Sequence, residues 1–224
     1  MHSSSSEPVV AIFGANGMAG TAVSTILGLE GFLVRKYTRE NFDITRTSIL
    51  EVPLDGIDLV VNAAGMINRR TQHESAAHEL RLVNSAFPLK LADYCESHNV
   101  PMIHLSTDCV FDGNSGLYVE SDPTCAKDAY GQSKIDGEPQ NAITLRTSIV
   151  GPEASNFYSL LCWFLTQENQ CYGFTRVWTQ LIPHLIANMY IMLWKLRACF
   201  SNRVASLRIS FILQKKRSTM LRIA

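Results

Sequence analysis

The chain has 224 residues, of which 46% are hydrophobic, 18% charged and 9% aromatic, with 20 basic and 20 acidic side chains. This length is enough for one domain with a sizeable core, or for one domain with a small second lobe. The hydrophobic fraction excludes an intrinsically disordered chain, and no apolar run is long enough to make an integral membrane protein. We therefore expect a folded protein without a membrane span.

The cysteines indicate the redox environment. None of the six belongs to a Cys-x-x-Cys pair; they are Cys95, Cys109, Cys125, Cys162, Cys171 and Cys199. Their irregular spacing favours reduced thiols over a disulfide framework or a zinc site. The first ten residues lack the basic and apolar regions of a secretion signal. We expect a cytoplasmic protein that binds no metal.

The charges are unevenly distributed along the chain. Up to Glu168 there are 11 basic and 20 acidic residues, whereas residues 169–224 contain nine basic residues and no acidic one. Such a segment could bind nucleic acid or a membrane surface. Alternatively, it is a stretch of sequence that does not belong with the rest of the chain. A solvated tail is the simpler explanation. We therefore expect no nucleic-acid partner and no membrane span, with recruitment of an acidic surface by the tail as the weaker alternative.

Short apolar runs alternate with segments that suit helices. The predicted strands are 8–13, 32–37, 57–62, 100–105 and 142–146, and the predicted helices cover 18–29, 74–98 (as one helix or two) and 128–137. Residues 1–7 are polar, and we expect them to be disordered. Continuous apolar strands that alternate with helices are typical of repeated β-α-β units. We predict an α/β fold, a Rossmann-type doubly wound parallel sheet over residues 8–175.

A glycine-rich turn, Gly14-Ala15-Asn16-Gly17-Met18-Ala19-Gly20, joins the first predicted strand to the first helix. Glycines let a backbone turn tightly and approach a pyrophosphate, whose charge is stabilised by N–H groups at the helix N-terminus. An ordinary tight turn would also explain the glycines, but the strand–helix position favours dinucleotide binding. The predicted contacts are Gly14, Asn16, Gly17, Met18, Ala19 and Gly20.

The end of the second predicted strand bears on the choice of dinucleotide. NAD-binding proteins usually carry an acidic residue there, which binds the ribose 2′-hydroxyl. Here no carboxylate occurs before Glu40, and residues 34–39 contain three cationic side chains. Cationic side chains favour the binding of a 2′-phosphate, which only NADP(H) carries. We therefore expect NADP(H) to be preferred over NAD(H), with Arg39 as the contact. The alternative is an ordinary solvated strand end.

Tyr130 and Lys134 are four residues apart on a predicted helix, so their side chains lie on one helical face. An ammonium group near a phenol is expected to lower the pKa of the phenol and make it a usable acid or base. Such pairs also occur on ordinary amphipathic helices. However, Ser106-Thr107-Asp108 ends the fourth predicted strand, where open α/β sheets bind their ligands. A hydroxyl group there can bind the same carbonyl oxygen that Tyr130 protonates.

Several segments occur in the order found in a known family. They are Gly14-Ala15-Asn16-Gly17, Asn62-Ala63-Ala64-Gly65, residues 106–113 (STDCVFDG), residues 130–134 (YGQSK) and residues 145–148 (LRTS). Together they resemble the extended short-chain dehydrogenase/reductase superfamily, specifically the dTDP-4-dehydrorhamnose reductases and related sugar-nucleotide reductases. The similarity runs from about Val9 to Phe174, and residues 106–148 are its most specific part.

The resemblance implies NAD(P)H-dependent reduction of a 4-keto-6-deoxy sugar attached to a nucleoside diphosphate, in deoxysugar or polysaccharide biosynthesis. It implies that Tyr130 donates a proton, that Thr107 hydrogen-bonds the same oxygen, and that Lys134 tunes Tyr130 and holds the nicotinamide ribose. The further residues implied to line the cofactor groove are Asp43, Ile44, Ala63, Ala64, Gly65 and Asn84. A helix cap is the alternative role for Asn84.

Cys109 bears on whether the chain could catalyse the reactions of related dehydratases and epimerases, and on which sugar it accepts. Related nucleotide-sugar dehydratases follow the threonine with Asp-Glu, whereas here Cys109 follows Thr107-Asp108. We therefore expect no dehydratase activity, and epimerases, which generally have serine-rich segments at this point, also fit less well. Cys109 and Ile149 replace aromatic residues that are common in rhamnose-type reductases, which leaves the identity of the sugar open.

The resemblance stops near Arg176, where family members continue into a substrate lobe. We predict a divergent segment over residues 176–224, consisting of a small, incomplete substrate lobe and a basic tail, with an apolar helix over 181–196. A shifted reading frame and a genuine short variant are both open explanations. The functional alternatives are a working sugar reductase and a catalytically weak NADP-binding protein or regulatory subunit. The resemblance also allows a homodimer.

Overall fold

The computed structural model describes residues 7–67, 74–114, 118–149, 151, 159–166, 180–181 and 208–210. The strands are β1 (Val9–Phe13), β2 (Leu33–Tyr37), β3 (Leu59–Asn62), β4 (Met102–Ser106), β5 (Ile143–Arg146), β6 (Ser148–Ile149), β7 (Gln180–Leu181) and β8 (Arg208–Ser210). The helices are α1 (Met18–Leu29), α2 (Glu74–Arg81), α3 (Phe87–Ser97), α4 (Ala129–Asp136) and α5 (Leu160–Leu165). A π-helical turn (Leu82–Ala86) joins α2 to α3, and two 3₁₀ turns cover Ile49–Glu51 and Asp108–Val110.

Six strands form one sheet in the order β2-β1-β3-β4-β5-β8, and all its pairs are parallel. The chain passes from β1 to β2 on one side and then returns to place β3 on the other side of β1. The predicted doubly wound parallel sheet is confirmed. The order reverses between β1 and β3, so their carboxyl ends form the crevice in which open α/β sheets bind ligands.

Burial on both faces of the central strands explains their continuous apolar sequences. In β1, Val10 and Ile12 pack on the face covered by α1, whereas Ala11 and Phe13 pack on the face covered by α3. All four side chains are buried. By contrast, β2 lies at the sheet edge, where Leu33 is 51% exposed. This position explains how β2 accommodates charged residues.

The helices begin and end close to the predicted positions because the local signals are strong. Helix α1 has the predicted bounds, and Gly31 reverses the chain after it with a φ of +84°. Asp128 caps α4, since its Oδ1 accepts hydrogen bonds from the backbone N–H groups of Tyr130 and Gly131 at 3.0 and 2.9 Å. The predicted 74–98 crossover consists of two α-helices with the π-helical turn between them.

Two short pieces of the predicted C-terminal segment are described. Gln180–Leu181 pairs with β6, and Arg208–Ser210 pairs with β5 as the outermost strand of the main sheet. The helix predicted over 181–196 lies, apart from Leu181, outside the described residues, as do residues 1–6 of the predicted disordered N-terminus. Within the described parts of the chain, no helix has the length and apolar character needed to cross a membrane.

Two glycines of α1 provide a matched test of this packing. A Cβ on Gly20 would collide with the carbonyl oxygen of Gly14, whereas a Cβ on Gly28 would meet nothing within 4 Å. We expect Gly20→Ala to lower the free energy of unfolding by about 3 kcal/mol, because backbone cannot yield to the methyl group. Gly28→Ala should raise it by about 0.5–1 kcal/mol. Urea denaturation measures both; equal effects would contradict the close approach of α1 to the turn.

Candidate active site and cofactor groove

Three backbone segments approach one another closely at the β1–α1 turn. Gly14 has a φ of +73°, and its N–H donates to the carbonyl oxygen of Tyr37 at 2.9 Å. A Cβ on Gly14 would lie 2.6 Å from the Cα of Ala64, in the segment after β3. Gly20 is pressed against Gly14 from the other side. Gly14 and Gly20 are therefore required by the packing of the turn itself.

Gly17 begins α1 and leaves its N-terminus accessible. Its backbone is extended, and no side chain forms a capping hydrogen bond at this end of the helix. Asn16 and Gly17 are exposed and Met18 is half-buried, whereas Ala19 is buried with Gly20. A helix N-terminus without a capping side chain suits a phosphate group, because the N–H groups and the helix dipole favour negative charge.

The segment after β3 lies across the carboxyl end of β1. The N–H of Ala63 donates to the carbonyl oxygen of Phe13 at 3.0 Å, and the N–H of Ala64 donates to Oδ1 of Asn62 at 3.1 Å. Nδ2 of Asn62 lies 3.1 Å from Nδ1 of His104, a buried side chain of β4. Burial, and then the charge of Lys134, lower the pKa of His104 well below its usual range. His104 is therefore neutral, and its Nδ1 accepts from Asn62.

Asn84 is buried in the middle of the π-helical turn and joins the segment after β3 to α4. Its Oδ1 accepts from the N–H of Met66 at 2.8 Å, and its Nδ2 donates to the carbonyl oxygen of Met66 at 2.9 Å and to Oγ of Ser133 at 3.1 Å. The alternative role of helix cap is therefore wrong. Gly65 is exposed. It lies next to Asn84, since a Cβ on Gly65 would be 3.8 Å from Oδ1 of Asn84.

The three predicted catalytic residues converge at the carboxyl end of β4. Thr107 is buried and lies near Tyr130; its Oγ1 accepts from the N–H of Cys109 at 3.2 Å and donates to Oδ1 of Asp108 at 3.3 Å. Tyr130 is half-buried in the first turn of α4. Lys134 is only 3% exposed, and its Nζ donates to the carbonyl oxygen of Leu105 at 2.8 Å. Tyr130 and Lys134 both belong to α4, as their spacing predicts, and their catalytic roles stay a prediction.

The predicted lowering of the Tyr130 pKa is wrong. Burial raises the pKa of Tyr130 to about 12, and the acidic groups of Cys109, Asp108 and Asp128 add to this effect, while the hydrogen bond with Thr107 opposes it. A phenol with this pKa is protonated at neutral pH. Tyr130 is therefore prepared to donate a proton rather than to accept one.

The pKa of Lys134 is also shifted, in the direction that favours the neutral amine. Burial lowers its pKa to about 8, and the carboxylate of Glu138 opposes this effect. The ammonium form still predominates at pH 7. One of its three N–H groups is used by the carbonyl oxygen of Leu105.

The residues predicted to contact the adenosine end of the cofactor are already engaged with protein groups. Nη2 of Arg39 donates to Oε1 of Glu79 in α2 at 2.9 Å, in an ion pair whose side chains are 63% and 36% exposed. Oδ1 of Asp43 accepts from both the N–H and the hydroxyl of Thr45, at 2.9 and 2.7 Å, which lowers the pKa of Asp43. Ile44 is half-buried and, like Tyr130, packs against the buried cluster of Met66, Leu80 and Val83. A 2′-phosphate would therefore compete with Glu79 for Arg39.

Sequence reasoning missed a buried ion pair beside the site. Glu138 and Arg146 pair at 2.7 Å with side chains that are 3% and 2% exposed, and Ser106 donates to Glu138 at 2.8 Å. The available signals were an arginine that ends an apolar strand and a glutamate four residues after Lys134. Among the described residues, no cluster of three or more His, Cys, Asp or Glu side chains could hold a metal ion.

Comparisons with known proteins show the family to which the chain belongs. A family model described as the RmlD substrate binding domain matches residues 9–170, well over half of the chain. The chain belongs to this family. The resemblance to dTDP-4-dehydrorhamnose reductases is thereby confirmed.

Two curated relatives show the extent of the match. A probable low-salt glycan biosynthesis reductase of Haloferax volcanii is 35% identical over 158 residues, which cover 62% of this chain and 52% of the relative. A dTDP-4-dehydrorhamnose reductase of Burkholderia thailandensis is 35% identical over 132 residues, which cover 58% of this chain and 44% of the relative. The chain spans about half the length of the curated relatives that it matches.

Solved structures share the fold of this member of the RmlD family. A dTDP-4-dehydrorhamnose reductase from Clostridium acetobutylicum has a TM-score of 0.73 at 20% identity, covering 92% of this chain and 75% of its own. A dTDP-4-dehydrorhamnose reductase from Bacillus anthracis, in complex with NADP, has a TM-score of 0.72 at 19% identity. The match covers 95% of this chain and 88% of that structure's chain.

Asn84 offers a test of how the segments around the site are joined. Asn84→Ala would leave the buried N–H and carbonyl groups of Met66 without their partner, so we expect it to lower the free energy of unfolding by about 2–4 kcal/mol. Asn16→Ala, at an exposed position in the glycine-rich turn, should change it by less than about 0.5 kcal/mol. Urea denaturation measures both, and similar values for the two variants would contradict the role of Asn84.

Proposed function

We propose that the chain binds NADP(H) across the carboxyl edge of the sheet and reduces the keto group of a nucleotide-activated 4-keto-6-deoxy sugar. The convergence of Thr107, Tyr130 and Lys134 beside the β1–β3 crevice is the observation that carries this proposal. The names of two relatives, dTDP-4-dehydrorhamnose reductase and dTDP-4-keto-6-deoxy-D-glucose reductase, support the substrate class.

The cofactor groove is proposed to run from the end of β2 to the end of β4. The uncapped first turn of α1 suits the pyrophosphate, and Ala63, Ala64 and Gly65 form the neighbouring wall. Arg39, Asp43 and Ile44 would hold the adenosine end. The NADP in the Bacillus anthracis relative supports this choice of dinucleotide. When bound, its reduced nicotinamide supplies a hydride.

Tyr130 is proposed to supply the proton that carbonyl reduction also requires. The keto carbon gains the hydride while the keto oxygen takes the phenolic proton, which leaves a phenolate. Because burial raises the pKa of Tyr130 to about 12, the proton is in place at neutral pH. The hydroxyl of Thr107 lies near Tyr130 and can stabilise the developing charge on the same oxygen.

Lys134 is proposed to position the nicotinamide ribose and to stabilise the phenolate. Its contact with the carbonyl oxygen of Leu105 fixes the ammonium group beneath the site and leaves two N–H groups for other partners. Because its pKa is about 8, the ammonium form is lost as the pH rises through that value. Reduction should therefore slow above about pH 8.

A second candidate function is a dinucleotide-binding protein with little turnover. The family match supports dinucleotide binding, since the matched residues 9–170 contain all the residues proposed to bind the cofactor. The homodimer, the cytoplasmic location and the lack of nucleic-acid binding stay predictions.

Tyr130→Phe distinguishes these functions. With a dTDP-4-keto-6-deoxy sugar, we expect kcat for NADPH oxidation to fall by about 10²–10⁴-fold, because the proton donor is lost. The dissociation constant for NADPH should stay nearly unchanged, because the ring remains. Absorbance of the reduced nicotinamide and a binding titration measure these quantities.

The matched control is Tyr94→Phe, which removes a hydroxyl that donates to the carbonyl oxygen of Val52, away from the site. We expect its kcat to stay at the wild-type value. Wild-type binding without turnover on a panel of keto sugars would support the second candidate instead. No binding of either dinucleotide would contradict both functions.

Arg39 and Glu79 test the preference for NADP(H). Arg39→Ala should weaken NADPH binding about tenfold and leave NADH binding nearly unchanged, because only NADPH has a 2′-phosphate. Glu79→Gln should strengthen NADPH binding about two- to fivefold, because it frees Arg39 from an exposed ion pair. Titration with each reduced dinucleotide measures the ratio.

Arg46→Ala is the control for the loss of a positive charge, since Arg46 is exposed and pairs with Asp43 at 3.7 Å. It should not change the ratio of the two affinities. Equal kcat/KM values for NADH and NADPH in the wild type would contradict the preference.

A further inference from the structure

A cluster of three buried polar side chains, Ser106, Glu138 and Arg146, lies directly behind the catalytic residues; we call it the Glu138 cluster. Nε and Nη2 of Arg146 donate to the two carboxylate oxygens of Glu138 at 2.8 and 2.7 Å. The hydroxyl of Ser106 donates to Oε1 of Glu138 at 2.8 Å. The carboxylate therefore accepts three hydrogen bonds, two of them in the strong bidentate geometry.

Stability alone is a weak explanation for this cluster. Both charged side chains are almost completely buried, and apolar residues of similar size often stabilise a fold as well as a buried ion pair does. The position of the cluster suggests another role. Ser106 immediately precedes Thr107, and Glu138 follows Lys134 by four residues.

The cluster joins the strand ends to the end of α4. Ser106 and Arg146 are paired residues of β4 and β5, and Glu138 bonds to both from the segment after α4. Nη1 of Arg146 also donates to the carbonyl oxygen of Glu120 at 3.3 Å, and its guanidinium lies 5.3 Å from the ring centroid of Phe111. One guanidinium–carboxylate pair thus connects the backbone next to Thr107 with the helix that carries Tyr130 and Lys134.

We propose that Glu138 is a positioning residue, which holds Thr107 at the end of β4 and Lys134 on α4 in one fixed arrangement, with Arg146 as its counter-ion. It does not touch the reacting atoms. The kinetic consequences rest on the proposed function, whereas the structural consequence does not. Electrostatics adds a second effect, because the carboxylate of Glu138 raises the pKa of Lys134 against the effect of burial.

Ser106→Ala tests the link to β4 while leaving the ion pair intact. We expect amide hydrogen exchange across Thr107–Val110 to become about tenfold faster, because the strand end loses its bond to the carboxylate. If the chain is a reductase, kcat should fall about five- to tenfold with the NADPH dissociation constant within about twofold of the wild type.

The matched control is Ser24→Ala. Ser24 is buried in α1, and its hydroxyl has no hydrogen-bond partner among the described residues. This variant loses a buried hydroxyl but no bond, so exchange across Thr107–Val110 and kcat should both stay at the wild-type values.

Glu138→Gln tests the charge. Without the carboxylate, the ammonium form of Lys134 is less favoured, so the alkaline limb of the kcat profile should move to lower pH by about one unit. Glu138→Asp keeps the charge and should restore the limb towards its wild-type position. A role in folding alone would lower kcat or yield without moving the limb.

The outcomes separate the inference from the proposed function. Exchange across Thr107–Val110 that is unchanged in Ser106→Ala would overturn the positioning role, and an alkaline limb that stays in place in Glu138→Gln would overturn the electrostatic effect on Lys134. If Glu138→Gln does not fold, Ser106→Ala and its exchange measurement decide. If the wild type binds no dinucleotide and reduces no keto sugar, the proposed function fails, and the exchange comparison still decides whether Glu138 positions Thr107.

Discussion

The contact between the buried ammonium of Lys134 and the carbonyl oxygen of Leu105 sets the geometry of the site. A charged group inside a protein is costly unless it is hydrogen-bonded or paired, and here a backbone oxygen at 2.8 Å and the carboxylate of Glu138 compensate. Leu105 precedes Thr107 by two residues, and Lys134 follows Tyr130 by one helical turn. This contact therefore links the strand end that carries the Thr107 hydroxyl to the helix that carries the Tyr130 phenol.

Close backbone packing keeps α4 in this position. A Cβ on Gly137, just after α4, would collide with the carbonyl oxygen of Asn84, and Oγ of Ser85 donates to the carbonyl oxygen of Ser133 at 2.8 Å. Both Asn84 and Ser85 belong to the π-helical turn, a deviation from α-helix that is frequent at functional sites. Within this turn the buried side chain of Asn84 bonds to Met66 and Ser133. The proposed cofactor groove and the helix that carries Tyr130 and Lys134 thus share one support.

The sequence predicted the features that depend on local pattern. The apolar run of β1, the glycines around α1 and the four-residue spacing of Tyr130 and Lys134 each specify their structure within a few residues, and the structure agrees. The misses involve residues that are distant in sequence: Arg39 pairs with Glu79, 40 residues away, and Ser106 bonds to Glu138, 32 residues away. The direction of the Tyr130 pKa was wrong because burial, which the spacing does not reveal, has the largest effect on the phenol, and nearby acidic groups add to it. A π-helical turn likewise has no simple sequence pattern.

The most direct measurement is a crystal structure of the chain with bound NADP⁺. We expect the pyrophosphate at the first turn of α1, the 2′-phosphate beside Arg39 in place of Glu79, and the nicotinamide ring facing the hydroxyl of Tyr130. A dinucleotide bound away from the carboxyl ends of β1 and β3, or a Tyr130 hydroxyl that points away from the nicotinamide, would contradict the central claim.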